Sequence, residues 1–180
     1  MIGAVRFHQA DPSKGAPKPW TAETIDEAVE YALQRTRDVF ERDGKVYLNA
    51  HLLATRQPDG TEQDCFCMFP CLGLSKDEWQ RELRAAAKAV RAKAVITIME
   101  CWHVMGDAAI RVADRYPSLE NHPDAVEAIR LAVERRDRAA YRFYAAITRA
   151  PDGRASLGPW ERVDGGTSTG RLTGFVEAGS

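Results

Sequence analysis

The chain has 180 residues, 44% hydrophobic and 28% charged, with a formal net charge of −1. These are the dimensions of one globular domain that buries a core without disulfide or metal staples. A net charge so close to zero supplies no overall field to recruit nucleic acid or an anionic membrane, and the tilt from a slightly acidic 1–80 to a slightly basic 81–150 is too small to name a partner.

No apolar run approaches the roughly 20 residues of a membrane span, and Met1 to Trp20 holds nothing resembling a signal peptide. A cytoplasmic protein without a membrane partner is expected, its four cysteines free thiols rather than disulfides.

Residues 1–20 read as a flexible leader. Three prolines punctuate Asp11 to Pro19, and Met1 to Phe7 is a candidate short edge strand. Over 22–42, Ile25, Val29, Ala32, Leu33, Thr36 and Phe40 recur at the spacing of one helical face. Acidic residues crowd its first turn and Gly44 supplies the stop. Lys45 to Arg56 alternates as a strand, with Asn49 and His51 on one face as a pocket wall or a solvated face. Gln57-Pro58-Asp59-Gly60 is a turn, and a second strand returns from Thr61 to about Phe69.

Ser75-Lys76-Asp77-Glu78 is a capping box, with Leu74 and Trp79 placed as a hydrophobic staple, and a helix follows through Leu83, Ala87 and Val90. Ala94 to Val104 is apolar enough for a central strand. The excursion from Met105 to Pro123 is long for a connection inside a compact domain. Over 125–149, Ile129, Leu131 and Val133 alternate, and so do Tyr141, Phe143, Ala145 and Ile147. Two strands turning near Arg136-Asp137-Arg138 explain both alternations, whereas one long helix would wrap apolar residues around its whole girth.

From Ala155 the chain reads as a Gly/Ser/Thr-rich tail, with a short final strand at Leu172 to Val176. The expected organisation is a leader (1–20), a single domain (21–154) and a tail (155–180). The expected fold class is α+β: a two-layer sandwich, mostly antiparallel, with four or five strands and two main helices on one face.

Several groups carry chemistry. Cys65, Cys67, Cys71 and Cys101 supply the number of sulfur ligands that zinc or another divalent metal needs, but not the usual turn spacing. The alternative is that they act as small hydrophobes beside Phe66, Met68 and Phe69. Glu100 leaves the end of the most apolar strand, so it either pairs with an arginine or lines a cleft. With His103 and Asp107 it is the candidate centre of a metal-assisted hydrolase or nuclease. Asp107, Arg111, Asp114, Arg115, Tyr116, Glu120 and His122 otherwise make a solvated mixed-charge loop.

Arg130, Arg136, Arg138, Arg142 and Tyr144 gather on the 130–144 hairpin as a candidate nucleic-acid surface. The neighbouring acids Glu127, Glu134 and Asp137 suggest cross-strand ion pairs instead. Phosphate-cradling, dinucleotide, nucleophile-elbow and zinc-protease motifs are absent from the sequence.

The leading expectation is a non-enzymatic binding or assembly module without a cofactor, acting on a protein partner or on a second copy of itself through flexible ends. The metal-assisted enzyme and the nucleic-acid binder stand as alternatives.

Overall fold

The computed structural model describes residues 19–57, 59–104, 122–164 and 174–176. The first helix, α1 (Ala22–Asp43), opens on a capping box in which Thr21 and Thr24 satisfy each other's backbone amides. It closes on Gly44 at φ 68°, whose N–H donates to the Phe40 carbonyl. The six residues picked out by helical spacing, Ile25 to Phe40, are the buried ones. The second helix, α2 (Lys76–Ala89), carries the expected Ser75–Glu78 capping box and buries Trp79, Leu83 and Ala87. Arg91 at φ 51° then turns the chain left-handed into the next strand.

The strands are β1 (Asn49–Ala54), β2 (Cys65–Pro70), β3 (Ala92–His103), β4 (Val126–Arg135), β5 (Tyr141–Arg149), β6 (Ala155–Leu157) and β7 (Glu161–Asp164). They form one antiparallel sheet in the order β2-β1-β3-β4-β5-β6, with β7 also on β5. The 126–149 stretch is a hairpin, in register from Ala128↔Ala146 to Val133↔Tyr141. Among the described residues there are thus two helices and seven strands in an α+β fold, and no helix is long and apolar enough to cross a membrane.

The expected four or five strands become seven because the presumed tail begins with two more. β6 pairs with the C-terminal part of β5 and β7 with its N-terminal part. They act as one edge strand interrupted at Gly158-Pro159-Trp160, where proline has no N–H to give to the ladder. The expected strand at Leu172–Val176 is not seen in its described part, since 174–176 are irregular and 172–173 lie outside the described residues, as does Met1–Phe7.

The two helices also lie on opposite faces, not on one. α1 packs with Leu53, Ala94, Ile96, Ile98, Ile129, Leu131, Val133, Tyr141 and Phe143. α2 packs with Ala50, Leu52, Ala54, Cys67, Phe69 and Val95, the alternate positions of the same strands. The reason lies in β1 and β3, which are buried on both sides along most of their length. An apolar strand with two apolar faces needs cover on each. Trp20 fixes the approach to α1, its indole N–H shared by the Ala54 and Cys65 carbonyls at 3.0 and 3.3 Å. On the other face Phe175 lies edge-on to Trp79, closing the α2 layer.

His51 sits under α1, 4% exposed, with its ring 4.9 Å from that of Phe66 and its Nδ1 buried without a hydrogen-bond partner among the described residues. The face it shares with Asn49 therefore meets the core, not water. Burial pushes its pKa down to about 4, while the unfolded chain keeps an ordinary value of about 6.5. The unfolded state thus binds more protons between these values, and stability is lost as pH falls from 6.5 towards 4. The loss is about 3 kcal/mol for this one group. Urea unfolding of wild type and His51→Phe at pH 7, 5.5 and 4 should show the two diverging by that amount. Parallel curves would mean that His51 charges freely in the folded state.

Candidate functional site

On the face that α2 occupies over β2, β1 and β3, the strands β4 and β5 present a different set of side chains. Antiparallel register places Met99, Arg130, Tyr144 and Glu161 in one cross-strand row over β3, β4, β5 and β7. The next row holds Cys101, Ala128 and Ala146. His103 follows on β3, and its ring stacks on Tyr144 with centroids 3.8 Å apart and planes 17° from parallel. Those residues stand on strands separated by the whole width of β4. By register Ala128, 1% exposed, is the same-face β4 residue between their positions, and its small side chain leaves the rings room to meet.

Beside this stack lies Arg130. Its Nε and Nη2 are buried and have no hydrogen-bond partner among the described residues. These two donors form the edge of the guanidinium that grips two oxygens at once. Elsewhere in the chain the same edge is occupied by a carboxylate. Arg42 holds Asp43 at 2.7 and 2.7 Å, Arg135 holds Asp137 at 2.6 and 2.7 Å, and Arg149 holds Glu127 at 2.8 and 2.6 Å.

The pKa directions follow. Burial lowers that of Arg130, Tyr144 opposes this, and the nearby Arg142 charge adds to the lowering. Burial also acts to lower that of Arg135, but hydrogen bonds to Asp137, Tyr141 and Asp26 more than reverse it. His103 Nε2 is likewise buried and unpartnered among the described residues. Burial, with the Arg130 charge, holds its pKa below the ordinary value despite Glu161, so near neutral pH the ring is uncharged and has one N–H to donate.

The nearest acid on the same face of β4 is already committed. Glu134 accepts the N–H groups of Gly174, Phe175 and Val176 at 3.0, 2.8 and 3.4 Å. Among the described residues Arg130 is therefore left with two oriented donors and no carboxylate, in a largely desolvated place.

The other sequence candidates fall apart in space. Glu100 lies on the α1 face of β3, accepting the Val46 N–H at 2.6 Å, with Arg149 at 4.0 Å. His103 is three residues on and faces the opposite side. Asp107 lies outside the described residues, as do Arg111, Asp114, Arg115, Tyr116 and Glu120. His122 is described, and its Nδ1 accepts the Asp124 N–H.

Cys65 and Cys67 share a face with their sulfurs 3.7 Å apart. Cys101 shares that face, but it stands six residues along β3 from Val95, the residue aligned with Cys67 through Leu52. That is roughly 20 Å away at 3.3 Å per residue. Cys71 lies past the end of β2, its thiol against the Leu74 carbonyl. Burial raises all four thiol pKa values, Cys67 to about 12 and Cys101 to about 11. Among the described residues no group of three or more His, Cys, Asp or Glu side chains is arranged to hold a metal ion.

The hairpin arginines separate too. Arg130, Arg142 and Tyr144 share the face just described. Arg138 turns to Asp26 at the start of α1, and the Arg136 N–H bonds to the Lys93 carbonyl at the sheet end.

The missed feature is the convergence of His103, Tyr144 and Arg130. Its one sequence signal is an arginine set between two alanines in the alternation Ala128-Ile129-Arg130-Leu131-Ala132, a basic residue with small neighbours on its own face. No family model, curated protein or solved structure matches this chain.

An unpartnered buried guanidinium costs stability that an apolar side chain of similar length does not. Arg130→Met should therefore raise the unfolding free energy by about 1–2 kcal/mol in urea titrations at pH 7. A loss of stability would show that Arg130 has a structural partner.

Proposed function

We propose that the chain is a binding module for a small ligand bearing a planar oxyanion, a carboxylate or a phosphate, gripped by the Nε/Nη2 edge of Arg130. The observation that carries this reading is that edge, buried and without a partner among the described residues, when three other arginines use the same edge on carboxylates. His103 Nε2 offers one further bond, and the His103–Tyr144 stack walls one side. Two parallel charge-assisted bonds in a desolvated place are the strong kind, and they fix orientation as well as affinity.

The reading keeps a binding role and moves it from the chain ends to the sheet. Three of the five residues expected to meet nucleic acid belong to this site. A single buried fork suits one oxyanion on a small molecule better than a run of backbone phosphates, which calls for several exposed cations.

The test is an NMR titration of the Arg Nε–H signals in 15N-labelled protein with sodium formate and with inorganic phosphate, at constant ionic strength set by chloride. The Arg130 signal should shift saturably with at least one of them, while the Arg42, Arg135 and Arg149 signals stay fixed. Arg130→Gln should leave no saturable site. An unmoved Arg130 signal would remove the reading.

A further inference from the structure

Resting on the Arg130 reading, we infer that the ligand is a monocarboxylic acid with an apolar body, an aliphatic or aromatic acid, and not a phosphate ester. Three features of the site argue for this. The first is charge. The ionised groups acting on Arg130 and His103 include Arg142, Glu134 and Glu161. With Arg130 itself that makes two of each sign, so the ligand adds its own charge to a balanced set, and a single negative charge adds the least. A phosphate dianion would add twice as much where water is largely excluded, which is costlier.

The second is donor number. The site offers a fork of two N–H groups and one histidine nitrogen, all buried and unpartnered among the described residues. Two coplanar carboxylate oxygens use the fork fully and leave room for the third bond. A phosphate has three terminal oxygens and needs a wider cradle.

The third is the lining. The side chains nearest Arg130 on its face are Met99 and Tyr144 across the neighbouring strands and Ala128 and Ala132 along its own. Cys101 adds a protonated thiol held neutral by burial. Immediately around the anion grip these neighbours are apolar or small, with Arg142 and Glu161 further out on the same face, the usual make-up of a small-molecule site with a few placed polar groups. The ligand body is therefore expected to lie against Met99 and the His103–Tyr144 rings.

Isothermal titration with formate, butyrate, hexanoate and octanoate, and with butyl phosphate, benzoate and octanol, tests the inference. Affinity should rise with chain length, up to about fourfold per added methylene, the ratio set by burying one CH2. Benzoate should bind better than formate, butyrate should bind at least tenfold tighter than butyl phosphate, and octanol should not bind. Arg130→Lys keeps the charge but not the fork, and should weaken hexanoate binding at least tenfold. Arg130-dependent binding that favours butyl phosphate, or that is indifferent to chain length, overturns this inference and leaves the oxyanion reading standing. Absence of any Arg130-dependent binding overturns both.

Discussion

A sheet whose central strands are apolar on both sides must be covered twice, and the rest of the architecture follows from that. β1 buries all but its first residue, β3 buries residues on both faces from Ala92 to Ile98, and β4 buries residues on both its faces. α1, 22 residues long, spans about 33 Å at 1.5 Å per residue. That is enough to run across the sheet: it reaches from the Arg135–Asp26 pair near its N-terminus to the carbonyls of Leu157 and Gly158, which take Arg37 at 2.9 and 2.6 Å. α2 has 14 residues and connects β2 to β3 across β1. It covers one half of the opposite face. The described C-terminal residues 174–176 extend that cover by docking on Glu134 and Trp79. What remains is the β4–β5 part of this face, and there the polar and aromatic groups gather.

Two arginines on β4 show what this division does to chemistry. Arg135 and Arg130 are five residues apart, so they leave the strand on opposite faces. The Arg135 side chain is fully buried, yet Asp26 and Asp137 meet it and tie the start of α1 to the β4–β5 turn. Charge and burial are reconciled there by carboxylates from two separate elements. At Arg130 no such reconciliation occurs among the described residues, because the acids of the hairpin are engaged elsewhere: Glu127 with Arg149, Asp137 with Arg135, Glu134 with backbone amides. One desolvated cation on the strand is thus a structural clamp, and the other is a donor without an acceptor among the described residues.

Much of the local structure was legible because it depends on residues near in sequence. The α1 face and its Gly44 stop, the Ser75 capping box and the 126–149 hairpin are all set by periodicity, capping and alternation within a few turns or one strand pair. The sidedness of the helices was not, because alternation says that β1 has two apolar faces but not which helix takes which. β6 and β7 escaped because three- and four-residue strands carry too little pattern to stand out from Gly- and Ser-rich surroundings. At the candidate site, Arg130, Arg142 and Tyr144 were rightly placed on one face, since that follows from register inside a hairpin. Pairing Glu100 with His103 failed on the parity of a strand: three residues apart means opposite sides. His103 with Tyr144 was out of reach, because their stacking needs β3 and β5 to flank β4 and a small residue between them.

The position of Ala128 joins these points. In an antiparallel sheet, side chains two strands apart do not ordinarily touch, since about 10 Å separates their backbones. A leucine or phenylalanine at 128 would fill that gap and hold the His103 and Tyr144 rings apart. Alanine instead leaves room for them to close over β4, beside Arg130, and the stack orients the imidazole. The small residue on β4 therefore sets which aromatic groups stand beside the guanidinium. The chemistry of this face is governed less by which charged residues the hairpin carries than by where it carries none.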